Sequence, residues 1–341
     1  MYLRLHQFIN LSKKEVSVIG GGSWATAIVK MLCNHADMVH WWMRDADKAN
    51  YINKYFHNPR YLSAVQFEKD KIRVSNDLSE VIKSAETVVI ATPSAFLMDV
   101  FGDRDNQDLK EKVVVSAVKG IVPEVHQIPA RFFHKRFGTP YEQIVMISGP
   151  CHAEEVALER LSYLTIACQD EDIAQDFAEQ LECRYIKTSV SDDLFGTEIS
   201  AILKNIYSVA SGIYHGLGYG DNFQAVLISN AIQEIERFVD ALNPIHRDVK
   251  SSAYLGDLMV TAYSQFSRNR TFGSMVGKGY SVMSAQMEMN MTAEGYYAAK
   301  SIIKINEKYE VDIPIATAVY RILYEKISPA VEMRILADQL N

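Results

Sequence analysis

The chain has 341 residues, 48% hydrophobic and 23% charged, with a formal net charge of −7. That length exceeds what one hydrophobic core usually holds, so two domains are expected, and the composition is ordinary for a globular protein in water. The acidic balance gives no general reason to expect a nucleic-acid partner. The longest stretch free of Asp, Glu, Lys and Arg, 205–220, carries Asn, Ser, His and several glycines, so no transmembrane segment is read. The opening "MYLRLHQFINLSKKE" lacks the apolar core and small-residue cleavage site of a signal peptide. Cys33, Cys151, Cys168 and Cys183 form no C-x-x-C pair and have no His at zinc-finger spacing, which points to free thiols in a reducing cytoplasm and to no metal site.

After a short N-terminal extension (1–12), apolar runs alternate with helical segments. Runs at 16–19, 38–43, 87–92, 112–118 and 143–148 are short and rich in β-branched residues, which favours strand over helix. Most lack polar alternation, as strands of a parallel sheet covered on both faces do. Helices are expected at 24–35 and 45–55, and later at 171–181 between strands at 164–168 and 184–189. This alternation predicts a doubly wound α/β domain over 13–191. From 192 to 341 the strand signal is gone, and helical patterns at 194–214, 222–241, 246–265, 281–307 and 314–327 predict an all-α domain.

Within "VSVIGGGSWATAIVKML", Gly20, Gly22 and Ala25 stand as G-x-G-x-x-A between a strand and a helix. The first glycine allows a tight turn, the second lets backbone approach a pyrophosphate, and the third position must be small for helix–strand packing. The helix start then offers free N–H groups and the positive end of its dipole. At the tip of the second strand, Arg44 precedes Asp45. An arginine there can face a 2′-phosphate, stack on adenine or pair with a surface acid, so NAD and NADP both stay open.

Lys204 is the one side chain charged at neutral pH in "SAILKNIYSVASG". Ser200, Lys204 and Ser208, with Ser211 close by, share a narrow polar stripe at helical spacing that is expected to face a cleft. Apolar neighbours would desolvate the amine and lower its pKa, making it a proton donor; a lysine snorkelling to solvent fits the local sequence as well. Lys119 ends a strand on the side where open α/β sheets bind ligands, or is an ordinary loop lysine. In "SRNR", Arg268 offers a planar fork for phosphate with Ser267 and Asn269 beside it, or belongs to a solvated loop.

Six ordered segments, "GGGSWATA", "NPRYL", "ATPS", "SAVKGI", "ISGPCHAEEVA" and "EISAILKN", followed by "GLGYGDN", "LGDLMVTAYSQFSRNRTFG" and "MTAEGYYAAK", together resemble the soluble bacterial NAD(P)-dependent glycerol-3-phosphate dehydrogenases over nearly the whole chain. The resemblance implies a Rossmann-type domain followed by a helical domain of the 6-phosphogluconate dehydrogenase type. It also implies reversible hydride transfer between NAD(P)H and dihydroxyacetone phosphate, giving sn-glycerol 3-phosphate for phospholipid synthesis.

By that resemblance Lys204, Lys119 and Asp257 are catalytic. The substrate is expected on Lys119, Gly149, Cys151, Lys204, Asp257, Ser267, Arg268 and Asn269. The cofactor is expected on Gly20, Gly22, Ser23, Trp24, Arg44, Lys119, Ala153, Arg268, Thr292 and Glu294. An acid at Asp257 would raise the Lys204 pKa against the desolvation effect. Three positions depart from the family pattern: Cys151 stands where Thr or Ser is usual, Asn230 replaces an Arg, and Ala25 replaces a Gly. A homodimer is an open expectation. Two other readings remain: a hydroxyacid dehydrogenase of the same superfamily, phosphorylated substrate or not, and a catalytically silent dinucleotide-binding regulator.

Overall fold

A computed structural model describes residues 14–104, 108–289 and 293–341. The expected extension at 1–12 and the expected cofactor residue Thr292 lie outside these residues. Eight strands form one sheet: β1 (Glu15–Ile19), β2 (Met38–Trp42), β3 (Ile72–Ser75), β4 (Thr87–Ile90), β5 (Val113–Ser116), β6 (Ile144–Ser148), β7 (Ser162–Ala167) and β8 (Ile186–Ser191). Their order is β3-β2-β1-β4-β5-β6-β7-β8. Neighbouring strands are parallel except β6 and β7, where Ile147 faces Ile166 in an antiparallel pair.

The continuous apolar runs have their explanation in two covered faces. Along β4, Val88 and Ile90 enter one core and Val89 the other; along β6, Ile144 and Met146 part from Val145 and Ile147 in the same way. Helices α1 (Ser23–Leu32), α2 (Ala46–Tyr55), α3 (Leu78–Lys83), α4 (Leu97–Phe101), α5 (Pro129–Phe137), α6 (Ala153–Ala157) and α7 (Glu171–Leu181) accompany the sheet. Strand order reverses between β1 and β4, which creates the crevice at the carboxyl ends where ligands of such sheets bind. This is the Rossmann-type arrangement expected from the sequence. Strand β3 was not among the expected strands. It is four residues at the sheet edge with Arg73 exposed, too short and too polar to stand out.

The rest is helical: α8 (Leu194–Gly216), α9 (Asp221–Leu242), α10 (Asp257–Tyr263), α11 (Arg268–Gly277), α12 (Val282–Glu288), α13 (Glu294–Asn306), α14 (Pro314–Tyr324) and α15 (Pro329–Ala337). Helix α8 is its axis and is buried nearly throughout, which is why its sequence reads as core on all sides. Helix α11 lies against it backbone to backbone. A Cβ on Gly212 would strike the Arg270 carbonyl, and one on Gly273 would strike the Val209 carbonyl. Two expected helices are divided. In place of 246–265 there is an irregular stretch after Pro244, a π-turn (Ser252–Gly256) and then α10. In place of 281–307 there are α12 and α13.

Candidate active site

A cavity of about 790 Å³ lies where the carboxyl ends of the strands meet α8, α10, α11 and α13. One end of it is built by the glycine turn. Gly20 has φ +138°, and a Cβ there would sit 2.7 Å from the Ala91 carbonyl oxygen, so only glycine makes the turn. Gly22 caps α1 without any side-chain hydrogen bond, and a Cβ on it would meet nothing within 4 Å. No side chain caps the first-turn amides of α1, and no atom crowds Gly22, as a pyrophosphate cradle requires. Gly22, Ser23 and Trp24 line the cavity, whereas Gly20 only shapes it. The buried Trp24 indole N–H has no hydrogen-bond partner.

Farther along, Asn58 fastens the "NPRYL" loop. It donates to the Gly21 carbonyl (3.3 Å) and the Thr26 hydroxyl (2.9 Å), and accepts from the Arg60 and Tyr61 amides. Arg60 and Tyr61 are thereby placed on the cavity wall near Arg44, whose guanidinium lies 5.9 Å from the Phe96 ring. Asp45 is engaged elsewhere: it caps α2 through the Asp47 and Lys48 amides and pairs with the Lys48 ammonium at 2.6 Å.

At the other end Lys204 is 3% exposed and its ammonium contacts Asp257 Oδ1, itself 1% exposed. Lys119 approaches Asp257 Oδ2 at 3.6 Å and the Gly149 carbonyl at 3.5 Å, and lies 5.6 Å from the Trp24 ring. The Ser148 hydroxyl is 3.5 Å from Asp257 Oδ2. One buried carboxylate thus faces two lysines. Burial pushes Lys204 down to about 7; Asp257 pulls it upward and Lys119 downward again. Burial would lift the Asp257 carboxyl, but the ammonium groups of Lys119 and Lys204 outweigh it and hold it below its ordinary value. The competition left open by the sequence is decided for Lys204 in favour of desolvation.

The polar stripe on α8 does not face the cleft as expected. Ser208 donates to the Thr261 carbonyl and shares a hydrogen bond with Ser267, both at 2.8 Å, and Ser211 donates to the Ala262 carbonyl. These serines fasten α8 to α10 and to the start of α11; Lys204 and its neighbour Asn205 are the α8 side chains that reach the cavity. Asn205 was missed by sequence reasoning, although it lies in the quoted "ILKN". It donates to the Lys119 carbonyl (2.6 Å) and accepts from Asn269 (2.8 Å), whose own oxygen accepts the Gly295 amide (2.9 Å). His152, also missed, lines the cavity; burial, then Lys119 and Lys204, push its imidazole below the ordinary value.

"SRNR" is no loop. Ser267 is the N-cap of α11, and Arg268 and Asn269 form its first turn, so the positive helix end opens on the cavity. Cys151 and Ala153 line the same wall. Burial pushes the Cys151 thiol up to about 12, which removes it as a nucleophile at neutral pH. Gly149, at φ +101°, shapes the turn and does not line the cavity. Glu294 begins α13 and accepts from the Ser94 amide (3.1 Å) and hydroxyl (2.5 Å), linking the helical part to the sheet. Burial raises its carboxyl, with the Ser94 bonds and Arg268 opposing. Asn230 is on α9, bonded to the Val226 and Asn341 carbonyls, away from the cavity lining, so that departure does not touch this site.

Residues 15–174 match the family described as NAD-dependent glycerol-3-phosphate dehydrogenase N-terminus, and residues 193–334 match its C-terminus. The chain is 32% identical over 314 residues to the glycerol-3-phosphate dehydrogenase (NAD(P)+) of Staphylococcus carnosus, covering 92% of this chain and 94% of that protein. It is 32% identical over 322 residues to the Bacillus velezensis protein of the same name, covering 94% and 93%. The crystal structure of glycerol-3-phosphate dehydrogenase from Coxiella burnetii superimposes with a TM-score of 0.87 at 26% identity, over 95% of this chain and 98% of that one. A D-mandelate dehydrogenase structure shares the fold alone, with a TM-score of 0.61 at 17% identity over 94% and 99% of the two chains.

Proposed function

The chain belongs to the NAD-dependent glycerol-3-phosphate dehydrogenase family, and from that membership we propose how its residues reduce dihydroxyacetone phosphate to sn-glycerol 3-phosphate. The glycine turn, with Gly22, Ser23 and Trp24, would hold NAD(P)H, which would supply the hydride. The Lys204 ammonium gives its proton to the C2 oxygen and takes it back in the reverse direction. The Asp257 carboxylate orients that ammonium, and Lys119 draws electron density from the same oxygen. The substrate phosphate docks at the start of α11 against Ser267, Arg268 and Asn269, where the helix dipole and a guanidinium fork favour a dianion. Cys151 borders the substrate, and Gly149 shapes the turn after β6 that places it. Gly22, Ser23, Trp24, Arg44, Ala153 and Glu294 border the cofactor.

The observation that carries this reading is the Lys204–Asp257–Lys119 cluster, its first two members buried, set in one cavity with the glycine turn and the α11 N-terminus. A ketone reductase needs a proton donor near working pH, and desolvation of Lys204 provides one. The test is steady-state oxidation of NADH and NADPH by dihydroxyacetone phosphate. Lys204→Ala is expected to lower kcat/KM by about 10²–10⁴-fold, the usual worth of a positioned acid. Undiminished turnover in that variant would refute the assignment.

We place the boundary between the two domains at 191/192, supported by the end of β8 at Ser191 and the start of α8 at Leu194. Free thiols and the absence of any described helix long and apolar enough to cross a membrane support a cytoplasmic enzyme. We assign it a homodimeric state, to be checked by analytical ultracentrifugation: a sedimenting species of single-chain mass would overturn it.

A further inference from the structure

The π-turn Ser252–Gly256 delivers Asp257 to Lys204, and π-turns inside helical segments concentrate at functional sites. One side chain of this turn, Tyr254, is buried, and its hydroxyl donates to Asp193 Oδ2. Asp193 is the N-cap of α8, the helix that carries Lys204, and its other oxygen accepts the Gly196 amide at 2.9 Å. Arg247, from the stretch after α9, closes the cluster. Its Nε donates to Asp193 Oδ2 at 2.8 Å, one terminal nitrogen pairs with Asp240 and the other donates to the Asn243 carbonyl at 2.6 Å. The cluster therefore joins the start of the lysine helix to the turn that presents the carboxylate.

We infer that the Asp193–Tyr254–Arg247 cluster is a positioning device that fixes the register of Asp257 against Lys204. It rests on the reading of Lys204 and Asp257 given above. The geometry explains its economy. Asp257 has no capping side chain beneath it, since the preceding residue is Gly256. The turn is held instead through Tyr254, three residues earlier, and by a Ser148 hydroxyl 3.5 Å from the Ala253 carbonyl. Tyr254 does not line the cavity and its hydroxyl is spent on Asp193, so it acts through the backbone of the turn. A hydrogen bond to a buried carboxylate is among the stronger ones and suits this task. The charged groups that bear on Lys204 are Asp257 from α10 and Lys119 beyond β5, with His152 beside α6 acting on the same carboxylate.

Tyr254→Phe removes the hydroxyl and keeps the ring packing. If the device positions Asp257, the variant loses about tenfold in kcat and keeps KM for both reactants within about twofold. The inflection of its reduction rate moves to lower pH, because a displaced carboxylate supports the ammonium less. Arg247→Lys keeps the charge without the fork and should show the same changes at smaller size; it carries the test alone if Tyr254→Phe does not fold. A variant that melts earlier but keeps wild-type kcat and inflection shows a merely structural role and overturns the inference. Lys204→Ala is assayed alongside. If it stays active, the reading and this inference fall together; if it is inactive while Tyr254→Phe behaves as wild type, the inference falls alone.

Discussion

Opposed effects set the proton affinity of Lys204, with burial the largest. Removing an ammonium from water favours the neutral amine, while a carboxylate in contact favours the charged one, and here burial prevails, at about 7. The sequence made the desolvation legible, because Ile199, Ile202, Leu203 and Ile206 surround the lysine on the helix. It did not reveal which polar neighbours share its direction, since a serine at helical spacing serves a cleft and a helix–helix contact equally well. Asn205 escaped notice for the same reason: its value lies in the Lys119 carbonyl, 86 positions away in sequence. Cys151 illustrates the reverse case, a reactive residue type in an unreactive setting. With its thiol pushed up to about 12, it should resist iodoacetamide at pH 8 under native conditions, as mass spectrometry of the intact protein would show. Rapid stoichiometric labelling of Cys151 would contradict the burial argument.

Two elements carry predictions of their own. Helix α11 can aim its N-terminus into the cavity only because Gly212 and Gly273 let it lie directly on α8. Gly273→Val forces the helices apart, with an overpacking cost of about 1–3 kcal/mol. The expected outcome is a lower urea midpoint together with a raised KM for dihydroxyacetone phosphate, since the phosphate site proposed at its N-terminus would move with the helix. An unchanged KM in the folded variant would separate α11 from phosphate binding.

At the tip of β2, Arg44 and the anchored Arg60 line the cavity while Asp45 is spent on capping α2. No carboxylate there is left to hold a ribose diol, and two guanidinium groups suit a 2′-phosphate. NADPH should bind more tightly than NADH, and Arg44→Ser should weaken NADPH by about tenfold or more with little effect on NADH, read as dissociation constants from nucleotide fluorescence. Equal affinities in the wild type would contradict this. The element scale is also where sequence reading lost accuracy. Strand β3 is held by its pairing to β2, and the π-turn before α10 answers to contacts with Asp193 that no local periodicity records.

Over the whole molecule, the order of segments was legible because the glycine turn, the strand-end lysine and the helix-borne lysine each obey local rules. Their convergence was implied only by the family resemblance, because it depends on long-range ties that no local rule records: Asn205 to Lys119, Asn269 to Gly295 and Glu294 to Ser94. These ties seat the α8 lysine over the carboxyl ends of the sheet, so that sheet and helices line one cavity. The central claim is that the desolvated Lys204 amine exchanges the proton, and the pH dependence of kcat/KM in both directions tests it most directly. Reduction needs the ammonium form, so its kcat/KM should be flat below about pH 7 and fall about tenfold per pH unit above it. Oxidation of glycerol 3-phosphate needs the neutral amine and should rise through the same inflection to a plateau. Ionisation of the substrate phosphate would move both profiles the same way, so mirror-image curves single out the enzyme's own acid. Two profiles that run parallel, or a reduction rate that holds its full value to pH 9, would contradict the assignment of Lys204.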